Sequence, residues 1–593
     1  MLRLLAFLKP HWKLVAALIL VNFLLSAMLI VTPLVIKAVV DDVIGAQRLE
    51  LLLPYLGLLL LVTGARAATT YFYSYGQNQL GQLVMTDVRT DLYRKLLILP
   101  YSFYDKEQTG RLMSRVSSDV ESTRLFLSQI LIESLNHITT IVLATVALFE
   151  QSVLLALLAA GPMILSGLGM YLAHHRLSEP WSRQHELVAK MSATLQDSLA
   201  GVKVVKAFAQ EAQEEGKFMA AVAQVRAGSL NINDLWNRRW AVIGSIGRFM
   251  QLLMIGIGGY MVMGGDLSLG ALVAAISLSM LLLGAVNALG TQLNAFSQTA
   301  TAAVRIFELL DEPVSIKSPA QPQPLPKPLR GEVVFDQVSF SYPTSKARTL
   351  QDVTLRIPAG SSLAVVGATG SGKSTLVHLI GRFYDPTSGR VLVDGHDVRT
   401  LDLAELRRQI GMVAQDALLF SATIAENIAF GQPDAPREQI ERAARLAQAH
   451  DFIVNLPNGY DTRIGERGVG LSGGQRQRIA IARAILLDPR ILILDDSMSA
   501  VDAETEKLLQ AAIRSVMRGR TTILIAHRLS TVEQADHIVV LRAGRIVEQG
   551  THAELARSSG YYRHVLEMQR MSAVESMGDV LNAQPQLAPA SSP

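Results

Sequence analysis

The chain has 593 residues, a formal net charge of +4 and no cysteine. This length is too great for one hydrophobic core, so at least two domains are expected. The small net charge, with basic residues clustered in particular loops, argues against a nucleic-acid-binding surface. The absence of cysteine excludes disulfides, thiolate catalysis, Cys-ligated zinc and palmitoylation, together with an N-terminal cysteine-protease domain that trims a peptide cargo.

Six apolar runs before residue 300 are candidates for membrane spans. The first, Leu14–Ile36, has no charged residue and supplies the roughly 20 residues that a helix needs to cross a bilayer. The amphipathic stretch before it, Met1–Trp12, predicts an interfacial helix that leads into a retained span. Buried helices of a large soluble protein are the alternative, and the length of the runs argues against them. The other five runs are residues 54–72, 135–149, 153–172, 241–263 and 269–293.

The charges between these runs predict their orientation. Two long polar connections, residues 76–130 and 174–240, are rich in Arg and Lys, whereas the opposite loops are poor in them. By the positive-inside rule the long connections face the cytoplasm. The opposite loops include tight hairpins at residues 150–152 and 264–266. We therefore expect a multi-pass protein of a bacterial plasma membrane, with both termini and the soluble domain in the cytoplasm.

Two arginines, Arg66 and Arg248, lie within or near the spans, where a charge is costly. Either residue faces a water-filled cavity or extends its side chain to the interface, and the sequence leaves both interpretations open. A cavity that is polar at these two positions and otherwise lined by Met, Phe and Leu suits an amphiphilic molecule.

The second half of the chain is typical of a soluble α/β domain. Strand-like runs such as Glu332–Ser341 and Ser362–Val366 alternate with helical segments. Before them lies a segment rich in Pro, Gln and Lys that predicts a stiff linker, and the last residues predict a disordered tail. The expected domains are a transmembrane domain over residues 1–311, a linker over 312–330, a soluble α/β domain over 331–571 and the tail over 572–593.

A phosphate-binding loop follows the strand that ends at Val366. Residues 367–374 match the pattern G-x-x-x-x-G-K-S, ahead of a helix predicted over residues 375–383. The glycines let backbone N–H groups converge on phosphate oxygens, Lys373 reaches the β- and γ-phosphates, and Ser374 ligates Mg²⁺. Asp495 ends an apolar strand run, a position from which a carboxylate holds the Mg²⁺ coordination sphere. The sequence therefore predicts a site for ATP and Mg²⁺.

The run Leu471–Gln475, which reads Leu-Ser-Gly-Gly-Gln, resolves the class, because most P-loop enzymes lack it. With the other motifs, it makes the chain resemble the ATP-binding cassette (ABC) exporters over about Leu2–Met571. The closest type within that family is the half-transporter, in which one membrane domain precedes one nucleotide-binding domain. The resemblance implies a membrane all-α domain of six helices, the type I ABC exporter fold, followed by an α/β P-loop nucleotide-binding domain. It also implies a dimer, since in this family each ATP is held between one subunit's phosphate loop and the other's LSGGQ.

The resemblance implies roles for single residues as well. Tyr342 is similar to the aromatic residue that stacks on adenine, with simple packing as the alternative. His527 resembles the switch histidine that contacts the γ-phosphate, and residues 103–119 and 201–208 resemble the two coupling-helix regions. Residues expected in catalysis are Asp496, His527 and Gln415, and those expected at Mg²⁺ are Ser374, Gln415 and Asp495. Residues expected to bind nucleotide are Tyr342, Gly367, Gly370, Ser371, Gly372, Lys373, Ser374, Thr375, Leu471, Ser472, Gly473, Gly474, Gln475 and Asp502.

Asp496 departs from the family pattern, which usually has Glu immediately after the Walker B aspartate. Its side chain is shorter by one methylene, about 1.5 Å, and a general base must lie within hydrogen-bond reach of its proton, so hydrolysis should be impaired. Within the family this resembles the subunit of a heterodimer that contributes one degenerate site. A heterodimer with a second half-transporter is favoured, and a slowly hydrolysing homodimer stays possible.

The main functional hypothesis is therefore an exporter of an amphiphilic small molecule, lipid or peptide. The alternative is an ATP-binding regulatory or channel-like membrane subunit with little hydrolysis of its own.

Overall fold

A computed structural model describes residues 2–345, 347–465, 470–495, 503–525 and 532–568. It divides into two compact units, of which the first contains Met1–Leu97 and Thr109–Glu312 and the second Ile98–Gln108 and Pro313–Pro593. The short segment Ile98–Gln108 thus belongs by its contacts to the second unit, although it lies between helices of the first unit in the sequence.

Helices make up the first unit. The described residues contain six helices that are long and apolar enough to cross a membrane, so the predicted number of spans is confirmed. Up to residue 311 the helices, with α3 in the second unit, are α1 (Trp12–Ala38), α2 (Leu52–Ile98), α3 (Tyr101–Tyr104), α4 (Thr109–Ser114), α5 (Val120–Leu125), α6 (Leu131–Gln151), α7 (Val153–Ala200), α8 (Val202–Ala207), α9 (Glu211–Gly264) and α10 (Leu269–Asp311).

Four of these helices are far longer than a bilayer is thick. Helices α2, α7, α9 and α10 contain 47, 48, 54 and 43 residues, which corresponds to about 65 to 80 Å at the rise of an α-helix. The hydrocarbon core of a bilayer is only about 30 Å thick. Most of the two long polar connections therefore continues the spanning helices into water.

The two predicted hairpins have connections of one residue and of four residues between their helices. Ser152 alone separates α6 from α7, and its Oγ accepts a hydrogen bond from the Leu155 N–H at 3.4 Å. Gly265 ends α9 with a φ of 79°, a conformation that glycine adopts without steric cost. Ser268 then caps α10 by accepting from the Ala271 N–H at 3.0 Å.

A buried polar cluster joins α1 to its neighbours. Asn22, which interrupts the first apolar run, is 1% exposed and donates to the Ile132 carbonyl at 2.9 Å and to the Tyr73 hydroxyl at 3.2 Å. Asn136 donates to the Ser26 hydroxyl at 3.2 Å. Inside a membrane domain such polar groups must find partners within the protein, so Asn22 serves helix association.

The described residues of the second unit form two sheets. Their strands are β1 (Val333–Phe340), β2 (Leu350–Ile357), β3 (Ser362–Val366), β4 (Ser388–Val393), β5 (His396–Asp397), β6 (Ile410–Val413), β7 (Ile491–Asp495), β8 (Thr521–Ile525), β9 (His537–Arg542) and β10 (Arg545–Gly550). The sheet of four strands has the order β2-β1-β4-β5 and the sheet of six has the order β10-β9-β3-β8-β7-β6. Strands β3, β6, β7 and β8 are parallel to one another, and β3 also pairs in parallel with β9.

Burial explains why the central strands read as continuous apolar runs. Every residue of β3, β7 and β8 is buried, as expected of parallel strands covered on both faces. The helices of this unit after α3 are α11 (Lys373–Ile380), α12 (Leu403–Arg408), α13 (Ile424–Ile428), α14 (Arg437–Leu446), α15 (His450–Val454), α16 (Gly473–Leu486), α17 (Ala503–Met517) and α18 (His552–Arg557).

The predicted linker is irregular but attached. Leu325 and Leu329 are buried in the core of the second unit, and the Gln323 N–H donates to the Thr400 carbonyl at 2.8 Å. Ser318 donates to Asp402 at 3.0 Å. Much of this segment is therefore part of the second unit's surface.

Candidate nucleotide-binding site

The register of the six-stranded sheet brings the predicted phosphate loop and the predicted magnesium carboxylate to one edge. Val365 of β3 and Asp495 of β7 both pair with Ile525 of the intervening strand β8. Since neighbouring strands lie about 4.8 Å apart, the two Cα atoms are roughly 10 Å apart. In an open α/β sheet, ligands bind at the carboxyl ends of the parallel strands, and this edge is such an end.

The phosphate loop has the backbone conformation that its glycines permit. Gly370 and Gly372 have φ values of 80° and 104°, which L side chains rarely adopt. A Cβ on Gly372 would also lie 2.9 Å from the Thr349 carbonyl oxygen and 2.8 Å from the Leu350 side chain. Gly370 therefore requires glycine for its backbone conformation, and Gly372 requires it for both conformation and space.

The polar groups of this loop fit a phosphate ligand. Lys373 Nζ donates to the carbonyl oxygens of Gly367 and Ala368 at 2.8 and 3.0 Å, so the loop itself partners the ammonium group. Ser371 is 4% exposed and its Oγ has no hydrogen-bond partner within the described residues. A buried hydroxyl without a partner is costly, and a phosphate oxygen would supply one.

The helix after the loop differs from its predicted bounds. It spans Lys373–Ile380 rather than residues 375–383, with Gly381 as its C-cap. It cannot continue because Arg382 has a φ of 47°, outside the helical region. Ser374 is exposed in the first turn, and Thr375 is buried.

The side chains predicted to hold Mg²⁺ supply oxygen donors. Asp495 is 8% exposed at the end of β7, and Gln415 follows β6, the strand beside β7. Among the described residues, no three His, Cys, Asp or Glu side chains converge as a metal site. Mg²⁺ is usually held by one or two carboxylates together with substrate phosphates and water, and Asp495 would supply such a carboxylate at the predicted site.

Three of the predicted site residues lie outside the described part of the chain. These are Asp496, Asp502 and His527. Asp496 follows Asp495 directly in the sequence, and His527 follows the end of β8 by two residues, so their roles stay predictions.

The LSGGQ run forms the start of helix α16. The Ser472 Oγ accepts from the Gln475 N–H at 3.2 Å, and the Gln475 side chain accepts from the Ser472 N–H at 2.9 Å. This capping box leaves Gly473 and Gly474 in the first turn, with Leu471 just before the cap. The N-terminus of a helix favours anions because its free N–H groups and its dipole both point toward them.

Tyr342 lies beside the phosphate-loop helix. Its hydroxyl shares a hydrogen bond with Thr375 Oγ1 at 2.9 Å. Its ring packs edge-on against Phe340 and Tyr384, with centroid separations of 4.9 and 5.3 Å. These contacts give Tyr342 a packing role, and stacking on adenine stays a prediction.

Comparison with known proteins identifies the family. A family model described as the ABC transporter transmembrane region matches residues 15–286, and one described as ABC transporter matches residues 350–499. This chain belongs to the ABC transporter family.

Relatives of this ABC transporter match it along nearly its whole length. It is 36% identical to an uncharacterized ABC transporter ATP-binding protein, YknU, of Bacillus subtilis, over 94% of this chain and 96% of that protein. It is 37% identical to a putative multidrug export ATP-binding/permease protein of Staphylococcus aureus, over 96% of this chain and all of that protein. A solved structure of a bacterial Atm1-family ABC exporter with ATP bound has a TM-score of 0.81 at 29% identity and covers 95% of this chain and 99% of that one.

These findings confirm the predicted class and fold. The chain is an integral membrane protein with six apolar helices, followed by an ATP-binding domain of the ABC type. With exporter relatives and a type I exporter neighbour, it is an ABC exporter.

Sequence reasoning missed an aromatic cluster that holds helix α3 in the second unit of this exporter. The Tyr101 ring stacks on Phe383 with centroids 4.6 Å apart. The Tyr384 hydroxyl donates to Asp105 Oδ2 at 2.8 Å, and Tyr384 also contacts the Tyr342 ring. Burial is the larger cause, and the hydrogen bond to Asp105 the second cause, that raises the pKa of Tyr384 well above its ordinary value. Residues 103–119 had suggested a coupling region, but nothing in the sequence pairs Asp105 with Tyr384.

We expect Tyr384→Phe to loosen the segment that follows α3. The lost hydrogen bond to a carboxylate should cost about 1 kcal/mol, which is roughly a fivefold change in an opening equilibrium. The amides of Asp105, Lys106 and Glu107 donate to carbonyls of α3, so hydrogen–deuterium exchange at these amides should speed up by about fivefold. The measurement is exchange mass spectrometry on the purified transporter.

A matched control for Tyr384→Phe is Tyr460→Phe. Tyr460 is also buried, and its hydroxyl shares a hydrogen bond with His450 at 2.9 Å. That variant should leave exchange at residues 105–107 unchanged. Equal acceleration in both variants would mean that general destabilisation, rather than the Asp105 contact, causes the effect.

Proposed function

We propose that this ABC exporter is one subunit of a dimer that moves an amphiphilic small molecule, lipid or peptide out of the cytoplasm or the inner leaflet. Each ATP would lie between the phosphate loop of one subunit and the LSGGQ run of the other. The observation that carries this proposal is the sheet register, which puts the phosphate loop and Asp495 at one edge. The Staphylococcus aureus relative, named as a putative multidrug export protein, supports an amphiphilic cargo.

The proposed binding of ATP exchanges contacts within the phosphate loop. Lys373 Nζ would leave the Gly367 and Ala368 carbonyls for the β- and γ-phosphates, because a cation interacts more strongly with anionic phosphate oxygens than with neutral carbonyls. The loop N–H groups and the Ser371 hydroxyl would donate hydrogen bonds to the phosphate oxygens. Mg²⁺, held by Ser374, Gln415 and Asp495, would neutralise developing charge on the phosphates. The first turn of the partner subunit's α16 would complete the site.

Turnover of this site is proposed to be weak. Asp496 stands where the family usually has Glu, and its shorter side chain would place the base too far from the attacking water. His527 would contact the γ-phosphate after ATP is bound. The partner of this chain is then proposed to be a different half-transporter that carries Glu, while the LSGGQ run of this chain completes the partner's competent site.

The proposed orientation follows from charge. Basic residues cluster in the polar connections, which supports a cytoplasmic location for both termini and the ATP-binding domain. The relatives from Bacillus subtilis and Staphylococcus aureus support a bacterial plasma membrane as the location.

Asp496 also favours a second candidate function. An ATP-gated channel or a regulatory membrane subunit needs nucleotide binding to change its shape but needs no rapid turnover. Export differs from both because it moves cargo against a gradient.

Transport into sealed vesicles tests the proposed function. Inside-out proteoliposomes that contain the purified chain, with and without the candidate partner, should accumulate a fluorescent amphiphile when ATP is added. The Lys373→Met variant should not support accumulation. Dissipation of a preformed gradient by ATP, without accumulation, would contradict export and support the channel.

A further inference from the structure

Helices α7 and α9 form an open apolar groove of about 940 Å³ in the first unit. This volume is within the range of small-molecule sites, which is roughly 300 to 1,000 Å³. Most of its wall is apolar, and among the described residues Arg248 is the one charged residue that lines it. Residues that line it include Pro162, Leu165, Val242, Arg248, Phe249 and Leu252.

The depth of Arg248 is inconsistent with an arginine that reaches the membrane surface. Trp236 and Trp240 stack with centroids 5.8 Å apart, and Trp240 is 40% exposed, as tryptophans in an interfacial belt are. Arg248 lies eight residues beyond Trp240 and sixteen before Gly264, the end of α9. Those separations are about 12 and 24 Å along the helix.

An arginine side chain reaches only about 7 Å from its Cα. The guanidinium therefore cannot reach either interface along α9. Of the two interpretations that the sequence left open, a polar species beside Arg248 is the one that satisfies the cost of an intramembrane charge.

Within the described part of the chain, the groove offers this guanidinium no counterion. The described residues contain no ion pair or hydrogen bond to the Arg248 side chain, and no Asp or Glu lines the groove. Its other polar side chain, Ser245, donates its hydroxyl proton to the Ala241 carbonyl at 2.7 Å. The side-chain donors that stay free in the groove are therefore those of the Arg248 guanidinium, and an anionic group is complementary to them.

We propose that this groove binds a single-chain lipid with an acidic headgroup, and that such a molecule is cargo of the exporter. The headgroup contacts Arg248, and the apolar chain lies along Leu165, Phe249 and Leu252. A bidentate carboxylate or phosphate satisfies the planar guanidinium, while the apolar wall excludes molecules without a tail. The assignment of the lipid as cargo rests on the proposed export function, whereas its binding does not.

Binding of matched probes tests the groove without ATP. The purified transporter in nanodiscs of zwitterionic lipid is titrated with a fluorescent fatty acid and with a trimethylammonium probe of the same chain. We expect the acid to bind at least tenfold more tightly than the cation. Arg248→Gln should remove this preference, and Arg248→Lys should keep much of it. Arg66→Gln removes the other arginine of the spans, which does not line the groove, and should leave the preference intact.

Three results would overturn the proposal. Equal affinity for the two probes in the wild-type protein is one, and an unchanged preference in Arg248→Gln is another. The third uses the natural lack of cysteine, because a cysteine introduced as Leu252→Cys reports on the groove alone. That cysteine should react with a membrane-permeant maleimide and be protected by the acid. The third overturning result is that this cysteine does not react with the maleimide but forms a cross-link between two subunits. That result would show that a second copy or a partner subunit covers the groove.

Failure of this inference is distinguishable from failure of the export function. Export of a cationic amphiphile that is unaffected by Arg248→Gln would leave the exporter intact and remove the acidic lipid as cargo. Tight binding of the acid that depends on Arg248, without export of any amphiphile, would retain the site and refute the transport function.

Discussion

Replacing Lys373 by methionine is expected to lower ATP turnover by about 10²- to 10³-fold, the usual effect of removing one preorganised charge stabiliser from a reacting centre. Lys373 is 6% exposed, and its Nζ is held by two loop carbonyls at the start of α11. The apolar stem of methionine can occupy the same space, but it cannot donate to a phosphate. The measurement is steady-state phosphate release in nanodiscs at saturating ATP by the chain purified alone and carrying Asp496→Glu, so that the site measured is the one built on Lys373.

Two controls separate this catalytic effect from misfolding. The melting temperature of Lys373→Met without nucleotide should stay close to that of the wild-type chain, because the loop carbonyls lie at a site that is open to water. Lys217→Met changes a lysine of α9 that is exposed and paired with Glu214, so its turnover should be unchanged. Full turnover in Lys373→Met would exclude the phosphate loop as the site of hydrolysis.

The second large effect is expected from Asp496→Glu. General-base catalysis by a well-placed side chain contributes about 10²- to 10⁴-fold, and misplacement by one methylene should forfeit a good part of that. We therefore expect the variant to raise turnover of the chain purified alone by at least tenfold. The measurement is phosphate release in nanodiscs, with mass photometry to give the oligomeric state of each sample.

Asp496→Asn is the matched control, because it keeps the length of the side chain and removes its basicity. If Asp496 is a poor base, this variant should differ little from the slow wild-type chain. Brisk turnover by a wild-type homodimer that Asp496→Asn abolishes would contradict the degenerate-site hypothesis and make Asp496 a working base. ATP binding should be similar in all three proteins, since Lys373 and Asp495 are unchanged.

Much of the nucleotide site could be predicted because its motifs are local. The phosphate loop needs glycines with positive φ at positions 370 and 372 and a lysine directly after the second of them. All three residues lie in one short loop between a strand and a helix. Strand β3 has the predicted bounds, Ser362–Val366. The end of α11 was predicted too late, because the backbone of Arg382 depends on packing that a local pattern does not contain.

The number of membrane-spanning helices in the first unit could be predicted from the sequence, but the length of those helices could not. Six apolar runs of sufficient length dictate six spanning helices, since backbone polar groups in hydrocarbon must be satisfied within each helix. The length of those helices was not visible, because charged residues on a solvated helix resemble those of a loop. Helix α9 runs for 54 residues, only part of which is apolar.

What the sequence determined by itself is the class of molecule: the ATP-binding motifs, the six spans and the presence of Asp496 after the Walker B aspartate. These depend on short patterns and on the length of apolar runs, which local physics controls. Only the tertiary structure decided which distant residues meet. It paired Asp105 with Tyr384, buried Asn22 against α6 and put Arg248 in an apolar groove where no described residue supplies a counterion, because such contacts come from the packing of separate helices and strands.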